Sequence, residues 1–220
     1  MEKVKAIVDT CFLQKLSSGG KNTDNIKLVL DELNYVPVTH PYIAEHELAL
    51  NAPLDRLVRE GYIEVIGYDA FIRDDFEKQL YESYFAVLYE DLRKYLEAMN
   101  GPKQMKPLYF KQGQTIYNTH LQGSSMADVH MILMASFLRL PVLMTEDSDI
   151  GLLRTMSRKR MSLGDYSLQI YSTIDLLKEL AQKEDGSLSK KELQRILNEM
   201  GERRRRSEIT AIWNEAHNVL

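Results

Sequence analysis

Residues Pro141-Val142-Leu143-Met144-Thr145-Glu146-Asp147-Ser148-Asp149 decide the fold. The first four read as a buried strand, because a run that is apolar at every position has no solvent face, and it empties at once into hydroxyls and carboxylates. Upstream, Val129 to Leu138 is apolar nearly all round, the mark of a helix inside a core, and Ser124 or Ser125 can cap its start. Downstream, Ser148 to Arg160 reads as helix, Leu168 to Tyr171 as strand and Ile174 to Gln182 as helix. The same alternation begins at the N-terminus. Lys3 to Val8 is a β-branched run that stops at Asp9 and Thr10, and Cys11 to Leu16 fits a helical turn closed by Gly19 and Gly20. Thr23 can cap a helix through Leu33, Pro37 and Pro41 bracket an extended piece, Pro41 opens a helix to about Leu50, and Pro53 opens another. Tyr62 to Ile66 alternates as a strand between Gly61 and Gly67. Strands alternating with helices imply an α/β fold: a central parallel sheet with helices on both faces.

Two segments fall outside that rhythm. From Asp69 to Met99 there is no proline or glycine, and Tyr81, Phe85, Leu88, Leu92, Tyr95 and Met99 follow four- and three-residue steps. This predicts one long helix burying a stripe on its own domain, with a homodimer seam as the sharper alternative. Residues 100 to 123, with Gly101, Pro102, Pro107, Gly113 and Gly123, read as irregular. A helical insert of about residues 69–123 therefore interrupts a domain of residues 1–178. The tail, residues 185–220, has capping-box spacing at Ser189 and Glu192, a stripe of Leu193, Ile196 and Leu197, and Gly201 before a second helix from about Arg203 to Val219. It reads as a helical hairpin. Asp185 to Glu192 imitates half of a calcium loop, but Ala181 and Lys183 stand where the first ligands belong, so calcium binding is rejected there.

The composition sets outer bounds. The chain has 220 residues, 44% apolar and 27% charged, with a net charge of −4, enough to build a core and too apolar for intrinsic disorder. No apolar run reaches the roughly 18 residues of a membrane helix. The short N-terminal apolar run is cut by Asp9 and lacks the form of a signal peptide, so a cytoplasmic location is expected. Cys11 is the lone cysteine, which removes disulfide scaffolds and thiolate zinc sites, and His40, His46, His120, His130 and His217 show no zinc-like spacing.

The chemistry lies in the placement of acids. Asp9 ends one strand, Asp147 and Asp149 follow another, and Asp128 opens the buried helix. In open parallel sheets the carboxyl ends of strands line the ligand crevice. A helix from Pro41 to Leu50 adds Glu45 or Glu47, which lie about 200° apart on a helical wheel, so at most one faces the crevice. Each acid taken alone has an ordinary explanation as a cap, a dipole complement or a solvated side chain. Brought together they repel one another unless a cation neutralises them, and all-oxygen ligation favours Mg²⁺ or Mn²⁺.

Four blocks in this order, Val8-Asp9-Thr10, Pro41 to Leu50 with its Glu45-His46-Glu47-Leu48-Ala49-Leu50 end, Ala127 to Ala135, and Val142 to Asp149, resemble the motif blocks of PIN-domain nucleases. The resemblance implies a PIN-like three-layer fold whose acids bind Mg²⁺ or Mn²⁺ and hydrolyse phosphodiester bonds, usually of RNA. Carried over, it makes Asp9 the first acid, Glu47 the second, Asp128 the third and Asp147 the fourth, with Asp149 an auxiliary metal ligand and Thr10 and Thr145 supporting hydroxyls. Many members are toxins, which implies an antitoxin-like protein partner. The insert between Glu47 and Asp128 and the C-terminal hairpin depart from the compact toxin pattern.

Metal-activated water needs no protein nucleophile, but a polyanionic substrate needs basic surroundings. Arg154, Arg158, Lys159 and Arg160 follow the last acidic block, Lys103, Lys106 and Lys111 lie in the insert, and Arg203 to Arg206 form the densest cluster. An aspartyl phosphatase would want a second Asp where Cys11 stands. A catalytically silent scaffold that binds RNA or protein through the same fold is the serious rival, and a purely helical adaptor is a third reading, opposed by the strand-end acids.

Overall fold

Ala6, Ile7 and Val8 are fully buried in the first strand, β1 (Val4–Val8), and Val142, Leu143 and Met144, the whole of β4 (Val142–Met144), are buried beside them. Both strands are covered on two faces. In the computed structural model, which describes residues 3–100, 103–120 and 125–217, β1 pairs in parallel with β4 on one side and with β2 (Tyr35–Thr39) on the other, Ile7 opposing Leu143 and Val38. The edges are β3 (Glu64–Val65) beside β2 and β5 (Gln169–Tyr171) beside β4. All five strands are parallel in the order β3-β2-β1-β4-β5.

The chain thus runs outward from β1 to β2 and β3, then crosses to β4 and β5. The reversal opens a crevice at the carboxyl ends of β1 and β4. Ten α-helices accompany the sheet among the described residues. One group joins α5 (Asp75–Met99), α6 (Met126–Leu138) and α7 (Asp149–Arg160). The other joins α1 (Thr10–Leu16), α2 (Asp24–Glu32), α8 (Thr173–Gln182), α9 (Lys190–Glu199) and α10 (Arg206–Ala216). The remaining pair, α3 (Pro41–His46) and α4 (Ala52–Arg59), are joined by a 3₁₀ turn at Leu48–Leu50. This is a three-layer α/β arrangement, and no helix among the described residues is long and apolar enough to cross a membrane.

Local boundaries differ from the sequence reading in instructive ways. The expected helix from Pro41 to Leu50 breaks at Glu47, whose backbone (φ −124°, ψ −57°) leaves the helical region so that Leu48 can turn into the core. Glu45 and Glu47 therefore do not share one helix, and their directions are not set by a helical wheel. The strand expected from Tyr62 to Ile66 shrinks to Glu64–Val65, because the Tyr62 and Ile63 N–H groups donate to the Leu57 carbonyl at the end of α4, at 3.0 and 3.1 Å. In the long helix, Asp74 caps the start by accepting the Glu77 N–H at 2.7 Å. Tyr81, Phe85, Leu88 and Leu92 are buried on α6 and α7, but Tyr95 and Met99 are 43% and 63% exposed, so the stripe is covered for only its first part. The four arginines from Arg203 to Arg206 are exposed, three of them on a 3₁₀ turn that precedes α10. The expected cap Ser124, the breakers Gly101, Pro102 and Gly123, and the expected helix end at Val219 lie outside the described residues.

The tail packs on its own chain. Leu188, Leu193, Ile196, Leu197 and Ile209 are buried in the same apolar cluster as the sheet residues. Glu199 accepts from the amides of Asn22 and Asn25, both at 2.8 Å, and Ser18 donates to its carbonyl at 2.7 Å. Ser189 and Glu192 form the reciprocal capping box that starts α9.

Candidate functional site

Asp9 occupies the cap position of α1 yet makes no capping bond with its side chain. Its carboxylate turns instead into the crevice, where Oδ2 accepts the Cys11 thiol at 2.5 Å and the Thr145 hydroxyl at 2.8 Å. Thr145 also accepts the Asp147 N–H at 3.0 Å, and Asp147 Oδ1 accepts the Asp149 N–H at 2.8 Å. These short-range bonds fold the segment after β4 into a turn that fixes where its acids point. The β1 and β4 ends are locked together by Asp9 N–H donating to the Met144 carbonyl at 3.0 Å.

Asp128 comes from the first turn of α6, and Glu47 from the break after α3. Asp9, Thr10, Cys11, Gln14, Glu47, Lys103, Ala127, Asp128 and Asp147 line one open crevice of about 380 Å³. Glu47 faces it and Glu45 is exposed elsewhere. Asp149 lies beside it through Lys103 Nζ, which stands 2.7 Å from Asp149 Oδ2, 3.0 Å from Asp147 Oδ2 and 4.0 Å from Asp128 Oδ2.

The acids carry the electrostatic marks of crowding under low dielectric. Burial, then the Asp147 and Asp9 charges, push the Asp128 carboxyl up to about 7, with Lys103 opposing. Burial also raises Asp9, against the lowering effect of its Cys11 and Thr145 hydrogen bonds. Glu47 is raised by burial, with the Asp9 charge adding to it and the Thr10 side chain acting against it. The Cys11 thiol is pushed up to about 12, first by burial and then by the Asp9 carboxylate, so it is a donor to Asp9 and not a thiolate nucleophile.

The donor chemistry, carboxylates that repel one another with Asp9 and Asp128 buried, suits a hard divalent ion. The spacing is that of a lysine-bridged cluster: among the described residues no three His, Cys, Asp or Glu side chains are gathered as a metal-holding group. The basic residues expected to flank the acids behave differently. Arg154 donates to the Leu168 carbonyl at 2.9 Å, and Arg160 is held by Asp91 at 2.8 and 3.0 Å. Arg158 and Lys159 are exposed on the last turn of α7. At 1.5 Å rise per residue they stand roughly 15 Å along the helix from Asp149, so neighbours in sequence are not neighbours in space.

Two groups escaped the sequence reading. Lys103 was visible only as one of three insert lysines, because nothing local marks which of them reaches the acids. Four of the five histidines, scattered in sequence, converge around Tyr42, while His217 stacks on Trp213. His40 and His130 stack with ring centroids 4.5 Å apart, and both reach the Tyr81 hydroxyl, at 3.2 and 2.7 Å. A usable signal existed: His40 precedes Pro41 as a helix cap, and His130 is the lone ionisable group in the otherwise apolar body of α6. No protein family, curated protein or solved structure matches this chain.

Proposed function

We propose that this protein is a PIN-like, Mg²⁺- or Mn²⁺-dependent endoribonuclease that hydrolyses RNA phosphodiester bonds. The observation that carries the reading is that Asp9, Glu47, Asp128 and Asp147, contributed by four separate segments, line one crevice at the switch point of a parallel sheet. Asp9, Glu47, Asp128 and Asp147 are the residues to hold the ion, with Asp149 auxiliary. When bound, the ion supplies Lewis acidity toward water and phosphate. The chain's own part is positional. Thr145 and Cys11 orient Asp9 through two hydrogen bonds to one of its oxygens. Thr145 and Asp147 fix the turn that carries the two later acids. Cys11, held protonated, takes no covalent part.

A specific observation favours a second reading. Lys103 already neutralises part of the cluster, as a permanent counter-ion would in a catalytically silent scaffold that binds RNA or protein. Incubation of a mixed RNA pool with Mg²⁺, Mn²⁺ or EDTA, followed by cleavage-site mapping, separates the two. The nuclease reading expects cleavage with metal, none with EDTA, and a loss of about 10²-fold or more for Asp147→Asn, in the range found when one electrostatic stabiliser is removed. RNA retained without metal-dependent cleavage would establish the scaffold instead.

A further inference from the structure

Lys103 is delivered to the acids by a well-anchored segment. Two residues on, Met105 is buried, and the Lys106 carbonyl accepts the Tyr89 hydroxyl of α5 at 2.9 Å. Further along, the Ile116 carbonyl accepts His130 Nε2 at 2.9 Å. The irregular segment between α5 and α6 is therefore tied to both helices, and Lys103, near its start, reaches across the crevice mouth.

Lys103 contacts three of the five acids assigned to the ion. Its ammonium takes Oδ2 of Asp147 and Oδ2 of Asp149 within 3.0 Å, and its next carboxylate oxygen belongs to Asp128. A lysine offers one positive charge, whereas its ammonium touches two carboxylates, Asp147 and Asp149, with Asp128 next to them. The ammonium leaves the cluster undercompensated, so a doubly charged ion is the better counter-ion. The ammonium and such an ion cannot share the same oxygens at contact distance, because two cations there would repel at close range. The flexible four-carbon stem of lysine, unlike the rigid fork of arginine, lets the charge withdraw while the segment stays anchored.

We propose that Lys103 is a tethered competitor for the divalent-cation position: its ammonium pairs with Asp147, Asp149 and Asp128 in the metal-free protein, and Mg²⁺ or Mn²⁺ binds by displacing it. This rests on the metal-dependent reading of the crevice, but its test does not depend on cleavage. Mn²⁺ binding to the full chain is titrated calorimetrically for the unaltered protein, Lys103→Gln and Lys106→Gln, the last removing an exposed charge from the same segment. Lys103→Gln is expected to bind Mn²⁺ at least about fivefold more tightly, the lower end of ordinary coupling between two sites, while Lys106→Gln matches the unaltered protein. In parallel, the reactivity of Lys103 toward an amine-acylating reagent, read by peptide mass spectrometry on the unaltered chain, is expected to rise at saturating Mn²⁺. That readout needs no variant to fold.

Equal or weaker Mn²⁺ binding by Lys103→Gln overturns the proposal, as does unchanged Lys103 reactivity or an equal gain in Lys106→Gln. Absence of Mn²⁺ binding in all three proteins overturns it as well. Tighter Mn²⁺ binding by Lys103→Gln with no RNA cleavage by any of the proteins supports the competition and removes the nuclease reading. Metal-dependent cleavage with unchanged Mn²⁺ affinity in Lys103→Gln does the reverse.

Discussion

Two polar regions share helix α6 and solve burial in opposite ways. Asp128 looks into the crevice, while His130, two residues on, looks into the knot of histidines around Tyr42. In the knot one proton arrangement satisfies every contact. The Tyr42 N–H donates to His40 Nδ1 at 3.1 Å, so neutral His40 carries its proton on Nε2 and donates to the Tyr81 hydroxyl. Tyr81 donates in turn to His130 Nδ1, and His130 Nε2 donates to the Ile116 carbonyl. Burial holds both imidazoles neutral, lowering His130 to about 3 and His40 well below its ordinary value. In the crevice the polar groups are like-charged and their balance is incomplete. A closed network rigidifies, whereas a frustrated one is poised to bind, which is why the second region is the functional candidate.

The largest expected effect would break the first half of that contrast. Tyr81→Phe leaves the His40 Nε2–H without an acceptor and His130 Nδ1 without a donor, and should lower unfolding free energy by roughly 2–5 kcal/mol in urea titrations. Tyr109→Phe, on a side chain 75% exposed, is the reference and should be near neutral. Equal effects from the two would mean that the knot contributes packing alone.

Next in size is the pH response of metal-free protein. Asp128 has a folded value near 7 against 3.8 when free, so its contribution is fully favourable below about pH 4 and is lost as pH rises through 7. Asp128→Asn should therefore stabilise the protein at pH 8 by about 1–3 kcal/mol, with the gain fading toward pH 4. His130 runs the other way: its folded value near 3 against 6.5 when free makes its contribution complete above 6.5 and lost as pH falls toward 3. The two slopes oppose each other between about pH 4 and 6.5, so Asp128→Asn should steepen acid destabilisation there. An unchanged acid slope would show that Asp128 is not held out of its ordinary range.

The smallest difference sharpens the outline of the crevice. Glu47→Gln should weaken Mn²⁺ binding by about tenfold or more, because even the loss of an outer partner of a metal ligand costs about that much. Glu45→Gln, at an exposed position, should leave the affinity unchanged. A greater loss at Glu45 would place the crevice boundary elsewhere on α3.

Much of this arrangement was legible in one dimension because it depends on local chemistry. Apolar runs at Ala6 to Val8 and Val142 to Met144, each cut off by polar residues, read as strands covered on both sides, and the residues that follow such a strand sit at the sheet's carboxyl edge. That logic places Asp9 and Asp147 without any coordinates. Ser189 and Glu192 announce a helix start because capping needs only three residues of spacing. What the tertiary structure alone decided depends on distance through space. The helix break at Glu47 comes from the core's demand for Leu48, and the loss of Arg154 and Arg160 to internal partners comes from α7 packing. Lys103 is one of three similar lysines on an irregular segment, and only the anchoring of that segment on α5 and α6 brings its charge to Asp147 and Asp149. Hydrophobic patterning reports which face of an element is buried, but a long-range ion pair leaves no periodic trace in the sequence, because its partners are chosen by the fold.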